Sequence, residues 1–263
     1  MKLFLKGFLL TVSFLAIWWM LSQINWVSLF KIDTVTKKTE EKIGELFWDL
    51  FKNEEKETTD SVVIKHINQI VTRLCESNKI DRSYIKVHVL LRDDVNAFAL
   101  PNGHLIIYSG LITQSDQQEE LCGVIGHELA HIQLDHIMKK LVREVGLTAL
   151  VSITTGGQGT ETIKEIAKLL SSTAYDRKLE KEADLHSVQY LTKASINPEG
   201  LAVFLEKMAK KEGEGSRYLN WISTHPDSKE RARYIRNASK KTKWKTKSVL
   251  TDSQWSELKE KLE

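Results

Sequence analysis

From Gly7 to Phe30 no charged residue interrupts the chain, a run long enough for a membrane-crossing helix, which needs about 20 residues. Lys2 and Lys6 precede it, and Trp18, Trp19 and Trp26 lie toward its far end, where aromatic rings favour a membrane interface. Residues 31–60 are polar and charge-rich, with an apolar island at Leu46, Phe47, Trp48, Leu50 and Phe51. They read as a stalk able to pack on a domain or a membrane surface. Beyond it, Val63, Ile67, Ile70, Val71 and Leu74 recur at helical spacing behind a cap at Asp60 or Ser61. Ile85, Val87, Val89 and Leu91 then alternate with Lys86, His88 and Leu90, the two-residue period of a strand. Pro101-Asn102-Gly103 separates Asn96–Leu100 from His104–Ser109, which predicts a β-hairpin.

The period changes after the hairpin. Gln117–Lys140 reads as one mostly buried helix and Val142–Ile153 as a second, ending in a flexible turn at Gly156, Gly157 and Gly159. Helical patterns resume over 160–172, 177–193 and 199–211. The pattern predicts an α+β fold, mainly helical, with a small sheet placed early and a domain over residues 61–240. Residues 241–263, basic around Trp244, read as a solvated tail, although Trp255, Leu258 and Leu262 could form one amphipathic turn or two.

With 41% hydrophobic and 28% charged residues, the composition is that of an ordinary globular chain, which excludes disorder and a disulfide scaffold. A net charge of +3 is too small to imply a nucleic-acid partner. Cys75 and Cys122 read as buried thiols. For residues 1–30 the choice is between an anchor and a cleaved signal peptide. Ser22, Gln23, Ile24 and Asn25 stand where a small-residue cleavage site belongs. An uncleaved single-pass helix is therefore expected, with secretion after cleavage as the alternative. The basic start would stay in the cytoplasm and the rest would cross, although Lys31, Lys37 and Lys38 weaken that orientation.

The chemistry concentrates in His127-Glu128-Leu129-Ala130-His131. Histidines at i and i+4 share one helix face, and both imidazoles can reach one zinc ion. Glu128 can meet the same cavity and act as general base on zinc-activated water. Further along, Glu180 and Asp184 also lie four apart on one face, whereas Glu182 points elsewhere. Glu180 can complete the ligand set, and Asp184 can fix the tautomer of a ligand histidine. Three protein ligands make an open catalytic site, while a structural zinc would need four. With Lys178, Lys181 and Glu182, the same segment also fits a merely solvated helix.

These segments, in this order, resemble the M48 membrane-associated metallopeptidases, a gluzincin group that includes CAAX prenyl proteases, Oma1-like enzymes and outer-membrane quality-control peptidases. The resemblance rests on Asn96–Gly103 with Tyr108–Leu111, on Glu120–His131, on Tyr175–Asp184, and on Thr224-His225-Pro226 with Glu230-Arg231. It implies a zincin-like fold and one zinc per chain, held by His127, His131 and Glu180. It also implies that His225 can approach the metal, filling its open position at rest or polarising the substrate carbonyl. Arg231 is then a candidate to stabilise an anionic intermediate. A single apolar segment, where prenyl proteases have several, argues against prenylated substrates.

The hairpin supplies a way to bind substrate. An exposed strand edge at Asn96, Ala97, Phe98 and Ala99 can pair with an extended peptide with little dependence on sequence; a core strand is the alternative. The expected function is a membrane-anchored zinc endopeptidase that cuts unfolded or misassembled polypeptides on the non-cytoplasmic side, in a bacterial periplasm. A zinc-binding chaperone that holds polypeptides without cutting them is the alternative, and a tethered interaction protein would bind no metal. Nothing in the sequence sets the oligomeric state.

Overall fold

A computed structural model describes residues 32–156, 159–211, 216–241 and 245–263. The apolar segment 1–30, expected to cross a membrane, lies outside them, and no described helix is long and apolar enough to do so. The compact unit treated below runs from Glu40 to Glu263, wider at both ends than the expected 61–240.

Helix α1 (Ile32–Glu54) enters this unit from Glu40 onward and buries Ile43, Phe47 and Trp48 in its core. That burial explains the apolar island in the polar stalk. Gly44 sits against the hairpin turn, where a Cβ would meet the Pro101 carbonyl oxygen at 2.4 Å. Helix α2 (Ser61–Asn78) starts as the sequence predicts, with the Asp60 carboxylate accepting from the amides of Val62 and Val63 at 2.8 and 3.2 Å. That cap satisfies two donors the helix leaves unpaired.

Strands β1 (Lys86–Leu90), β2 (Ala97–Leu100) and β3 (His104–Tyr108) form one sheet in the order β1-β3-β2. The predicted hairpin pairs β2 antiparallel to β3, with Ala97 opposite Ile107 and Leu100 opposite His104. Its turn holds Asn102 and Gly103 at positive φ. A side chain at Gly103 would also strike the Tyr84 carbonyl oxygen, 2.2 Å from its Cβ, so glycine is required there. Strand β1 runs parallel to β3, a pairing no local pattern announces. Leu90 is fully buried and Leu91 exposed, the reverse of the expected alternation at that end. There the strand finishes, and Leu91 donates instead to the Lys56 carbonyl.

After a short helix α3 (Ser109–Gln114), helix α4 (Gln118–Gln133) runs through the interior with nearly every residue buried. It packs on β2 along one side and on α8 (Arg177–Lys193) and α9 (Gly200–Lys211) along others. Close approach depends on glycines: at Gly123 a Cβ would meet Leu201 N at 2.4 Å. The expected single helix over 117–140 is broken at Asp135, which adopts a left-handed backbone (φ 55°) and starts α5 (His136–Val145) in a new direction. Gly146 then separates α5 from α6 (Leu147–Thr154), and α7 (Thr160–Ser172) follows.

After α9 come α10 (Leu219–Thr224), α11 (Ser228–Ser239) and α12 (Asp252–Glu260). The last of these corrects the expectation of a solvated tail. Leu250 and Leu258 are buried, α12 packs on α2, and Gln118 bonds the backbone of Val249 and Leu250. The basic residues that suggested a tail lie ahead of this anchored segment.

Candidate metal centre

Helix α4 carries His127 and His131 one turn apart, and their Nε2 atoms converge to 3.0 Å. Helix α8 brings Glu180 to the same point, with Oε1 3.3 Å from His131 Nε2 and Oε2 3.8 Å from His127 Nε2. His225, which ends α10, adds its Nδ1 at 3.0 Å from Glu180 Oε1 and 3.4 Å from His127 Nε2. One ligand atom from each of these four residues lies within 4.8 Å of the others, and all four side chains are buried. Zinc bonds of about 2.0–2.1 Å in a tetrahedron require ligand atoms about 3.3 Å apart. The donor set and its spacing therefore fit a zinc ion.

The electrostatics favour the same reading. Burial lowers the pKa of His127 and His225, and takes His131 down to about 4, so the imidazoles are neutral with lone pairs free. For Glu180, burial pushes upward, but Arg231, His225 and His127 override it and hold the carboxyl well below its usual range. Asp184 on α8 lies 2.9 Å from His127 Nδ1. Accepting a proton there fixes the His127 tautomer with Nε2 bare, as a metal ligand needs.

Glu128 is fully buried beside these groups, and neither carboxylate oxygen has a hydrogen-bond partner. Its Oε1 faces His225 Nε2 at 3.5 Å. Burial and the nearby Glu180 raise its pKa well above the usual value, opposed in part by the Ala99 backbone. The segment expected to bind substrate is thus next to Glu128. Strand β2 is last in the order of the sheet, but Asn96, Ala97, Phe98 and Ala99 are all buried, so the segment is a core strand rather than the expected exposed edge. A groove of about 620 Å³ opens beside its start, lined in part by Leu50, Phe51, Asn96, Tyr108 and Lys164.

Arg231, expected to face an anionic intermediate, has both ends of its guanidinium engaged. Its Nε and Nη2 donate to the two Asp184 oxygens at 2.9 and 2.8 Å, and Nη1 lies in close ionic contact with Glu180. Tyr234, one turn further along α11, also donates to Asp184. The sequence reading missed Tyr234, although its spacing from Arg231 puts both on one helix face. It missed Trp221 as well, which stacks on His225 at 4.2 Å between ring centroids, from one turn earlier on α10. Tyr175 also packs on the cluster, 4.1 Å from the His131 ring and 5.8 Å from His225. The buried Lys140 holds Tyr175 from below, 4.3 Å from its ring centroid.

The family model for peptidase family M48 matches residues 63–239. The chain belongs to peptidase family M48. This M48 chain is 34% identical over 184 residues to metalloprotease LoiP of Escherichia coli (strain K12), covering 68% of its own length and 71% of LoiP. It is 28% identical over 229 residues to the mitochondrial metalloendopeptidase OMA1 of Bos taurus, covering 80% of its own length. With the beta-barrel assembly-enhancing protease of Escherichia coli (strain K12) it shares 26% identity over 190 residues, or 68% of its length. Both longer relatives are matched over only 39% of their own chains. Membership makes this M48 chain a metallopeptidase whose family generally uses zinc, and whose substrates are polypeptides.

Proposed function

We propose that the protein is a zinc endopeptidase of protein quality control that hydrolyses unfolded or misassembled polypeptides. The observation that carries this reading is the convergence of His127, His131 and Glu180 beside a buried, unpartnered Glu128. Those three residues would hold the ion. Bound there, zinc would supply Lewis acidity toward a peptide carbonyl and an attacking water. Glu128 is the group placed to take a proton from an attacking water and return it to the leaving amine. Burial and the nearby Glu180 raise its pKa, the direction a proton-carrying group needs.

The remaining residues position these. Arg231 clamps Glu180 and Asp184, and Asp184 orients His127. A peptide adding along the β2 edge at Asn96–Ala99, beside Glu128, would have to displace what buries those residues, and would then be held by main-chain hydrogen bonds that select extended, unfolded chains. A relative named for β-barrel assembly supports misassembled polypeptides as the substrate class. The apolar run through Phe30 anchors the chain, with the peptidase on the non-cytoplasmic side, in a bacterial periplasm.

His225 favours a second reading. It completes a four-ligand set, and closed four-ligand sites are characteristic of structural zinc. On that reading the protein holds polypeptides without cutting them. Bound zinc and casein cleavage, measured with and without chelator for the wild type, Glu128→Gln and His225→Ala, separate the two. Zinc-dependent cleavage abolished in Glu128→Gln is expected. A wild type without zinc sinks the metal-centre reading, and zinc with no cleavage even in His225→Ala favours the holding protein.

A further inference from the structure

The two ligand histidines of α4 are braced differently. His127 has the Asp184 carboxylate on its Nδ1. His131 has no carboxylate there; its Nδ1 lies 3.1 Å from Nδ1 of His136, the first residue of α5. Both rings are fully buried. Had α4 continued, a residue five positions on would point away from His131, since each residue turns the helix by about 100°. The left-handed Asp135 breaks the helix and folds His136 back, bringing the ring centroids to 5.0 Å.

Only one proton can lie between two imidazole nitrogens at that distance. His131 Nε2 faces His127 and Glu180 as a donor atom, so the His131 proton is on Nδ1, where it donates to His136 Nδ1. His136 must then carry its own proton on Nε2. That nitrogen is buried, has no hydrogen bond, and faces Glu182 Oε2 at 3.5 Å. Glu182 lies between Glu180 and Asp184 in sequence but on another side of α8, where it meets α5 rather than the ligand cluster.

We infer that His136, backed by Glu182, is a positioning residue that holds His131 in the tautomer a metal requires. All three acidic residues of Glu180–Asp184 then serve the centre: Glu180 as ligand, Asp184 behind His127, and Glu182 behind His131 through His136. The inference rests on the zinc reading of the cluster. It concerns this chain's own hydrogen bonds, which can be observed without catalysis.

The test is zinc affinity of the full chain, measured by competition with a chromophoric chelator, together with imidazole nitrogen NMR of the zinc-loaded wild type. Removing such a supporting partner weakens metal binding by about 10–100-fold, and His136→Ala is expected to fall in that range. His136→Asn keeps an acceptor at the Nδ1 position and should remain within about threefold of wild type, as the same hydrogen bond is retained. Glu182→Gln, half-exposed and one step removed, should cost less than about tenfold. The NMR spectrum should show the His131 proton on Nδ1. A His131 proton on Nε2, wild-type affinity in His136→Ala, or equal losses in the Asn and Ala variants overturns the inference. A wild type that binds no zinc overturns the metal-site reading itself.

Discussion

His225 Nδ1 lies 3.0 Å from Glu180 Oε1, and its ring stacks on Trp221 at 4.2 Å and lies near-parallel to Tyr175 at 5.8 Å. Its backbone is also tied down: the His225 amide donates to the Trp221 carbonyl at 2.8 Å, and Tyr175 N donates to the Thr224 carbonyl. With zinc held by His127, His131 and Glu180, as proposed, a side chain so held would fill the position that substrate or water needs in an open site.

His225→Ala is therefore expected to raise the rate of casein hydrolysis while zinc stays bound through His127, His131 and Glu180. If closure is worth about 1.4 kcal/mol, the gain is about tenfold. Initial rates at matched zinc occupancy measure it. A fall in rate at full occupancy would instead assign His225 a part in the reaction.

The seat of α4 gives a stability prediction. At Gly200 a Cβ would lie 1.9 Å from the Glu119 carbonyl oxygen, a backbone atom that cannot swing aside. Overpacking of this kind costs about 1–3 kcal/mol, so Gly200→Ala should lower the urea midpoint by a corresponding amount. Gly159→Ala is the control. Its φ of −74° suits alanine and nothing lies within 4 Å of the added Cβ, so it should be neutral or stabilising by up to about 1 kcal/mol.

What could be read from the sequence is what local periodicity encodes. The spacing of His127 and His131, and of Glu180 and Asp184, states which residues share a helix face, and the hairpin follows from Pro101-Asn102-Gly103. The α2 cap at Asp60 is equally local. The parallel pairing of β1 with β3 is not, because its register is set by packing between distant segments. The helix break at Asp135 was hidden for another reason: a left-handed aspartate leaves no signature inside a continuous apolar pattern. Missing that break concealed His136, while Glu182 looked like surface decoration for lack of its partner.

One source of acid sensitivity lies away from the metal centre. His104 Nδ1 lies 3.0 Å from His88 Nε2, Trp48 stacks on His88 at 3.5 Å, and Glu45 and Glu57 flank the pair. Burial, with Lys86 and His88 nearby, lowers the His104 pKa to about 4. Between the unfolded value of about 6.5 and this folded value, the unfolded chain binds more protons. Stability from this group is thus full above pH 6.5 and falls as the pH drops toward 4. At about 1.4 kcal/mol per pKa unit the loss is at most about 3 kcal/mol. Subtracting the melting-temperature profile of His104→Asn from that of wild type isolates it. A difference that stays flat across this window would show that His104 titrates normally.

The last helix offers the sharpest contrast with a solvated tail. Leu258 is fully buried, α12 packs on α2, and Lys259 donates to the Ser115 carbonyl at 3.0 Å. Thr251 caps the helix by accepting from the Gln254 amide at 3.2 Å. A leucine in a solvated tail could be truncated at almost no cost, whereas a buried Leu→Ala change costs about 2–5 kcal/mol. Leu258→Ala should fall in that range by urea denaturation, and Trp255→Ala, only partly buried, should cost less. Because Gln118 at the start of α4 binds the backbone of Val249 and Leu250, the loss should also reach the helix that carries His127 and His131. Faster amide exchange at the start of α4 in Leu258→Ala would register that link, and unchanged exchange there would confine the effect to α2 and α12.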